Sequence, residues 1–203
     1  MILYGAPMPA PNPRRVRVFL AEKDIDLPET PVDLMKREHK SEAHKARNSL
    51  GQVPTLELED GTCISETVAI CRYFDELQPD PPLFGATPKD KALVDMWVRR
   101  MEFTVMGPVG NYWRHAHPRT AALLTQFKDF GESNKATYRG AQKWLDRELS
   151  DRPFVAGDSY SMADICLLST VDFARWIGLP LEAEFTHLGA WHDRVSARPS
   201  AKA

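Results

Sequence analysis

The sequence has few cysteines, and they form no recognisable pattern. Cys63, Cys71 and Cys166 are the only ones in 203 residues. No two of them form a CxxC pair, and none stands at a metal-ligand spacing from histidine. A disulfide framework and a structural zinc site are therefore not expected, and no metal is predicted. We expect all three thiols to be buried as small apolar groups.

The chain also lacks long apolar runs and an excess of charge of either sign. No stretch approaches the roughly 20 apolar residues that cross a bilayer, and no signal peptide precedes Ile2. The 26 basic and 28 acidic residues are mixed along the chain and give a formal net charge of -2. This balance gives no electrostatic reason to expect nucleic acid or a membrane as partner. We expect a cytoplasmic protein with a small-molecule ligand.

The most informative stretch is 48–74. Residues 53–58 and 62–64 are predicted to form a β-hairpin, and the apolar spacing after Ser65 predicts a helix that Ser65 would cap. Pro54 cannot donate to a sheet ladder, so the backbone of Val53 beside it stays free to pair with an extended, peptide-like ligand. The N–H groups at the helix start would attract a carboxylate of that ligand.

The order of elements predicts an α/β domain followed by an all-α domain. Strands at 2–4 and 30–35 flank a helix for which Asn12 is the predicted N-cap, and a loose helical stretch at 41–47 leads to the hairpin and its helix. This is a thioredoxin-like arrangement over 1–77. The proline-rich segment 78–87 is the predicted linker, and 88–203 is the predicted all-helical domain. Its helices are expected at about 88–115 with a bend at Gly107-Pro108, and at 119–149, 161–176 and 187–197.

One local signature in the helical half has a structural explanation. Ser161 and Asp164 form a capping box, and Tyr160 and Ile165 occupy the positions of a hydrophobic staple. We therefore interpret Asp164 as a residue that nucleates a helix, not as a general base.

The runs 51–56 (Gly-Gln-Val-Pro-Thr-Leu) and 65–70 (Ser-Glu-Thr-Val-Ala-Ile), with the capping box, resemble the cytosolic glutathione transferases. The resemblance implies a glutathione transferase fold, a cis bond before Pro54, a homodimer, and glutathione as co-substrate for conjugation to an electrophilic, apolar or aromatic small molecule. Thr67 stands where the family usually has serine and keeps the hydroxyl. The implied glutathione contacts are His39, Lys40, Gln52, Val53, Pro54, Glu66 and Thr67. Lys40 and Gln52 could equally be solvated surface residues.

The resemblance fails at the usual catalytic position. Alignment puts Ala10 where most of the family carries Ser, Tyr or Cys, and alanine offers neither hydroxyl nor sulfur. Asn12 could donate to the glutathione thiolate or could be a plain N-cap. The helical half resembles an atypical fungal and bacterial subgroup in which a water held by His and Ser replaces the usual hydroxyl. His115 is the first candidate for that histidine and His117 the second; either could be an ordinary helix-end residue, and no serine matches.

Further predictions follow from the same resemblance. The electrophile pocket is expected to involve Met8, Met106, Tyr112 and Trp176, with Met101, Phe103 and Phe173 also available, although helical spacing alone would place most of these residues in the core. Two alternative functions remain: a non-catalytic glutathione-binding or scaffold module, and a glutathione-dependent peroxidase or reductase on the same fold.

Overall fold

The computed structural model describes all 203 residues and separates the chain into two compact units. The first contains Met1–Leu83 together with Pro199–Ala203, and the second contains Phe84–Arg198. The division falls inside the segment 78–87 that the sequence marks as a linker. The last five residues differ from the expected boundary, because they pack with the first unit rather than with the helical one.

The first unit is a mixed four-stranded sheet with helices. In the order β2-β1-β3-β4, β1 runs parallel to β2 and antiparallel to β3, and β3 forms a hairpin with β4. This topology confirms the predicted thioredoxin-like domain. Its elements are β1 (Ile2–Gly5), α1 (Pro11–Glu22), β2 (Glu29–Pro31), α2 (Glu42–Arg47), β3 (Thr55–Glu57), β4 (Cys63–Ser65) and α3 (Thr67–Leu77), with a 3-10 turn at Glu38–Lys40.

The core of this unit lies between the sheet and the helices α1 and α3. Leu3 and Leu56 from neighbouring strands are buried, as are Phe19 on α1 and Ile70 on α3. Burial of such side chains contributes about 1.5–3 kcal/mol each to folding. Helix α2 is placed near β1 by the Arg47 guanidinium, which lies 4.3 Å from the centre of the Tyr4 ring.

Several sequence-based boundaries in the first unit are wrong. Strand β2 ends at Pro31 instead of residue 35, because Asp33 Oδ1 accepts the N–H groups of Met35 and Lys36 and turns the chain. Strand β3 begins two residues later than predicted, at Thr55. Ser65 does not cap α3: it is the last residue of β4, and Glu66 holds the N-cap position.

Two further expectations are corrected here. Asn12 is not an N-cap, because α1 begins at Pro11 and Ala10 is its N-cap residue. Cys63 is only half-buried, whereas Cys71 and Cys166 are buried as expected. Cys63 lies on the edge strand β4, which has a neighbour on one side only.

Polar contacts hold the two places where the chain leaves the first unit, near Leu83, and returns to it, at Pro199. The Lys23 ammonium is fully buried, forms an ion pair with Asp75 at 2.6 Å, and donates to the carbonyls of Gln78 and Pro81 at 2.7 and 2.6 Å. At the C-terminus, Arg14 Nη2 donates to the Ala201 carbonyl at 2.9 Å. This contact is one reason why the last five residues belong to the first unit.

The second unit is all-helical, as predicted. Its elements are α4 (Pro88–Arg100), a π-helical segment (Met101–Met106), α5 (Gly107–His115), a 3-10 turn (Pro118–Thr120), α6 (Lys128–Glu148), α7 (Met162–Trp176) and α8 (Thr186–Ser196), followed by a 3-10 turn at Pro199–Lys202 that belongs to the first unit. Pro108 has no N–H to donate to the carbonyl of residue 104, and the preceding Gly107 N–H bonds to Glu102 O, five residues back. The irregularity is therefore a π-helical segment just before the predicted bend.

The predicted helix over 119–149 is wrong in its first part. Residues 121–127 form a turn and a loop, and α6 begins at Lys128. Two side chains replace the helical pattern here: Thr120 Oγ1 donates to Trp113 O at 2.6 Å, and Gln126 Nε2 donates to His117 O at 2.9 Å. Such side-chain bonds to the backbone compete with helix formation.

Helix α7 is the centre of the helical unit. All residues from 161 to 171 are buried, and the predicted capping box between Ser161 and Asp164 is present. The Asp164 carboxylate also accepts from Val155 N and from Trp191 Nε1, each at 2.9 Å. Burial raises the pKa of Asp164 to about 6, against the effect of these donors, which favour the ionised form.

Candidate functional site

A single backbone carbonyl organises the loop that precedes β3. Gln52 O accepts hydrogen bonds from His44 Nε2 at 2.8 Å, from Asn48 Nδ2 at 3.1 Å and from Thr55 Oγ1 at 3.4 Å. A carbonyl can only accept, so Nε2 of His44 carries its proton. The three donor residues are buried, while the Gln52 side chain is exposed. The arrangement fixes the backbone immediately before Val53.

The same loop is held from its other side by residues of the 3-10 turn. Lys40 Nζ donates to Leu50 O at 3.0 Å and to Gly51 O at 2.8 Å. Gly51 has φ +56°, and a Cβ there would lie 2.6 Å from His39 O, so only glycine fits. His39 keeps a buried Nδ1 without a hydrogen-bond partner, and burial, followed by the charge of Lys40, lowers the pKa of His39. The nearby cation at neutral pH is thus Lys40.

Val53, Pro54 and the start of α3 present backbone groups. The Val53–Pro54 bond is cis, and β3 starts only after it. Glu66 adopts φ +72°, which is uncommon for a residue with a side chain, and α3 has no side-chain cap. Glu66 is exposed and Thr67 is buried. The first turn of α3 therefore combines uncapped N–H groups with an exposed carboxylate at its N-cap.

The start of α1 is poor in donors. Ala10 is the N-cap and has no side chain to offer, and Pro11 and Pro13 have no N–H. Asn12, half-buried at the second helical position, thus carries the only N–H among the first three residues of α1. Any anion at this helix end would be stabilised by that N–H or by the Asn12 amide.

In the helical unit, aromatic residues from two helices and the turn between α5 and α6 form a ring cluster. Trp113 lies 4.7 Å from His117, 5.4 Å from Phe173 and 5.6 Å from Trp176, centre to centre. Tyr112 contacts His117 edge-on at 6.1 Å. Trp176 is 42% exposed, so the cluster presents an aromatic surface outside the core.

The two candidate histidines have different surroundings. His115 packs against the rings of Phe127 and Phe130, and its Nδ1 is buried without a hydrogen-bond partner. His117 Nδ1 accepts from the Arg119 N–H at 3.3 Å, so its neutral ring carries the proton on Nε2. Burial, followed by the Arg119 charge, lowers the pKa of His117. His117 is accordingly a neutral donor that touches the ring cluster, whereas the contacts of His115 are with the phenylalanines.

Comparisons with known proteins identify the family of this chain. The model of the glutathione S-transferase N-terminal domain matches residues 1–76, and that of the C-terminal domain matches residues 123–199. Glutathione S-transferase 2 of Saccharomyces cerevisiae is 39% identical over 206 positions, covering all of this chain and 88% of the relative. The chain belongs to the glutathione S-transferase family. The predicted fold and the prediction of a glutathione transferase are thus confirmed.

Solved structures support the same family. The crystal structure of Gtt2 from Saccharomyces cerevisiae matches with a TM-score of 0.93 and 38% identity, covering 100% of this chain and 99% of that one. A class Gtt2 glutathione S-transferase of Vibrio parahaemolyticus matches with a TM-score of 0.87 and 31% identity, covering 100% and 96%. The transferase fold therefore extends over the whole chain.

Some of the predicted site residues of this transferase lie together within one unit. His39 and Lys40 meet the loop before Val53, and Glu66 and Thr67 begin α3. Tyr112 joins the ring cluster with Trp176, but Met106 contacts Thr170 Oγ1 instead, at 3.7 Å. In the first unit, Met8 is exposed beside a cis bond to Pro9.

Sequence reasoning missed His44, Asn48 and Thr55, which hold the Gln52 carbonyl, and Trp113, which is the centre of the ring cluster. Helical spacing within α2 could have indicated that His44 is buried, but nothing in the sequence shows which carbonyl it reaches. The structure contains no group of three or more His, Cys, Asp or Glu residues that could hold a metal ion. It also contains no helix of the length and apolarity needed to cross a membrane.

Proposed function

We propose that this transferase binds glutathione through its first unit, stabilises the thiolate, and conjugates it to an apolar or aromatic electrophile. The observation that carries the proposal is the geometry at Val53 and Glu66. A rigidly held, unpaired stretch of backbone accompanies an uncapped helix start with an acid beside it. A γ-glutamyl tripeptide has the complementary groups: a peptide backbone, an α-ammonium and carboxylates.

Each end of glutathione has a proposed partner. The N–H groups at the start of α3, including that of Thr67, would bind the γ-glutamyl carboxylate, and Glu66 would bind the α-ammonium. The Val53 backbone would pair with the cysteinyl residue. Lys40 would bind the glycyl carboxylate, with His39 and Gln52 beside it, because two of its ammonium contacts are to neutral carbonyls and leave its charge uncompensated.

Catalysis requires a thiolate near neutral pH. Lowering a thiol pKa of about 8.5 by two units takes roughly 2.7 kcal/mol of preferential stabilisation of the thiolate. We assign one contribution to Asn12, whose N–H is the only one in the first three positions of α1. A water held by a histidine of the helical unit would supply the rest. The unpartnered Nδ1 of His115 and the Nε2–H of His117 are the two candidates.

The ring cluster with Tyr112 and Trp176 is the proposed electrophile surface, with Met8 and Met106 as further candidates. A planar aromatic substrate would stack on the exposed face of Trp176. In the reaction the thiolate lone pair forms a C–S bond at the electrophilic carbon. A leaving group departs with its electron pair, or the adjacent carbon takes up a proton when the substrate is an activated alkene.

The proposal also includes the oligomeric state of the protein and its subgroup within the family. Leu93, Met96 and Phe103 are exposed on and just after α4, and they support a homodimer in which α3 of one subunit meets α4 of the other; its proposed location is the cytoplasm. Ala10, the N-cap residue of α1, offers no hydroxyl or thiol, and this supports membership of the atypical subgroup that lacks the usual catalytic side chain.

The test is a glutathione titration followed by heat and by the ultraviolet absorbance of the thiolate across pH. We expect saturable binding with a bound thiol that ionises well below about 8.5. The N12P variant removes both the backbone N–H and the side-chain amide of residue 12, whereas N12A removes only the side-chain amide. Comparing the two variants therefore separates backbone donation from side-chain donation. For H115A and H117A the matched control is H187A, because His187 is exposed on α8.

Three results would contradict parts of the proposal. Binding with an unshifted thiol pKa would indicate a non-catalytic glutathione module. An activated thiol that reduces hydroperoxides but leaves aromatic halides unreacted would indicate a peroxidase. Unchanged turnover of both H115A and H117A at saturating glutathione would exclude the histidine-held water.

A further inference from the structure

The segment between α5 and α6 buries or half-buries two polar side chains and exposes large apolar ones, the reverse of an ordinary surface loop. Two of its polar residues bond within the protein: Thr120 is 3% exposed and donates to Trp113 O, and Gln126 donates to His117 O and to Thr120 Oγ1 at 3.0 Å. These bonds fix the loop to the end of the helical unit. The Thr120 hydroxyl and the Gln126 amide are thus bonded within the protein and contribute little to a hydrophilic loop surface.

The apolar residues of this segment and of the first turn of α6 point outward. We call them the apolar tip: Leu123, Leu124, Phe127 and Phe130 are 41%, 38%, 64% and 50% exposed. The rings of Phe127 and Phe130 both contact His115, at 5.7 and 5.4 Å, which keeps them together as one patch. Four large apolar side chains exposed on one connection indicate an interaction surface.

The charge on the loop side of the tip is basic, in contrast to the mixed charge of the whole chain. No acidic residue occurs from Phe103 to Lys128, whereas Arg114, Arg119 and Lys128 are all exposed. On the α6 side, Asp129 is exposed between Phe127 and Phe130, and the exposed Glu132 forms an ion pair with Lys135 at 2.7 Å. The surface is thus apolar at its centre, basic on the loop side and mixed in charge on the α6 side.

Trp176 extends the same end of the unit. The Arg119 guanidinium lies 4.9 Å from the centre of the Trp176 ring, and that ring is 42% exposed. Tryptophan and arginine side chains with an apolar body and a polar head are favoured at the boundary between hydrocarbon and water. A protein partner would have to supply an apolar groove rimmed with acid, whereas an anionic lipid surface supplies both properties everywhere.

We propose that the apolar tip docks on an anionic lipid surface as a peripheral contact. Leu123, Leu124 and Phe127 enter the boundary between headgroups and acyl chains, and the three basic residues lie against the headgroup charge. The contact does not depend on glutathione or on catalysis. The contact brings the protein to the lipid bilayer, in which apolar compounds dissolve.

The test measures co-sedimentation of the full chain with vesicles of phosphatidylcholine alone and of phosphatidylcholine with phosphatidylserine. We expect binding to the anionic vesicles at low salt, weaker binding to the neutral ones, and a decrease at high salt, where surface charge is screened. The triple variant L123S/L124S/F127S should lose at least about tenfold in partitioning, because it removes three apolar side chains from the boundary between headgroups and acyl chains. The variant R114Q/R119Q/K128Q should lose about fivefold per charge on anionic vesicles only.

The matched control is M35S/L77S. Both residues are exposed and apolar, and both lie in the first unit, so this variant should bind vesicles like the unchanged protein. Absence of binding to anionic vesicles at low salt would overturn the proposal, as would undiminished binding by the tip variant. A tip variant that sediments as a smaller assembly in the absence of lipid would show that a second copy covers the tip, and would also overturn it.

Discussion

The two units hold their central loops with opposite arrangements of donor and acceptor. In the first unit the acceptor is a main-chain oxygen, Gln52 O, and the donors are the side chains of His44, Asn48 and Thr55. In the helical unit the acceptor is a side chain, Asp164, and three of its four donor groups belong to the loop that precedes α7: the N–H groups of Val155 and Ser161, and Ser161 Oγ. Trp191 provides the fourth.

The two arrangements should affect different properties: the one at Asp164 mainly stability, and the one at Gln52 O mainly ligand binding. A change at Asp164 leaves four buried donors without an acceptor, and none of these donors belongs to a proposed glutathione contact. A change at a donor to Gln52 O removes one bond of three but releases the backbone next to Val53. We therefore expect substitutions in the helical unit to have the larger effect on folding, and those in the first unit to have the larger effect on affinity relative to their cost in stability.

The largest expected effect is that of D164A. Four buried donors would lose their partner, and removal of one member of such a buried network typically costs about 3–5 kcal/mol. Chemical denaturation measures the loss. The control is D158A, because Asp158 is exposed and its replacement should change the free energy of unfolding by less than about 0.5 kcal/mol. A loss below about 1 kcal/mol in D164A would mean that the carboxylate is not the centre of this loop.

The second prediction concerns pH and uses D164N. Burial raises the pKa of Asp164 from 3.8 to about 6 in the folded protein. Between these values the folded state holds a proton that the unfolded chain has released, so stability falls as pH rises. The stability of the unchanged protein relative to D164N should decrease by up to about 3 kcal/mol as pH rises across this window. A difference that is independent of pH would place the pKa of Asp164 at its ordinary value.

The third prediction compares G51A with G61A. Both glycines have positive φ, +56° and +83°, but a Cβ at residue 51 would lie 2.6 Å from His39 O, whereas nothing lies within 4 Å at residue 61. G61A should cost about 1–2 kcal/mol for the left-handed conformation alone. G51A should cost more than that and should also weaken glutathione binding. Equal losses in the two variants would show that the loop absorbs the clash.

The fold and the part of the candidate site in the first unit could be predicted from the sequence, because both depend on the local backbone. The contacts proposed at Val53, Pro54 and Glu66 use backbone groups, and short local patterns determine what the backbone does. The ring cluster joins Trp113 with Phe173, sixty residues apart, and no local pattern encodes such a contact. Averages over the chain also conceal local features: the net charge of -2 gave no sign of the acid-free stretch that ends at Lys128.

Two of the wrongly predicted boundaries, the end of β2 and the start of α6, share one cause. Side chains bonded to nearby backbone in ways that periodicity does not show: Asp33 turned the chain and ended β2, and Thr120 and Gln126 replaced the first turns of the predicted helix. The predicted N-caps failed at Asn12 and Ser65 because Ala10 and Glu66, which make no side-chain cap, occupy those positions. Capping statistics favour Ser and Asn, but α1 and α3 both begin without a side-chain cap.

The smallest expected effect tests the comparison most directly, because it pairs two buried asparagines. Asn48 donates to Gln52 O in the first unit, and Asn134 donates to Phe130 O at 2.6 Å in the helical unit; both are 6% exposed. Asn48 makes three side-chain hydrogen bonds and Asn134 makes two, so N48A and N134A should each cost about 1–2 kcal/mol of stability. Only N48A should weaken glutathione binding, by a few-fold in a calorimetric titration, because only its loop carries Val53. If N134A weakened binding as much, the effect would follow from general loss of stability, and the division between a binding unit and a stabilising one would fail.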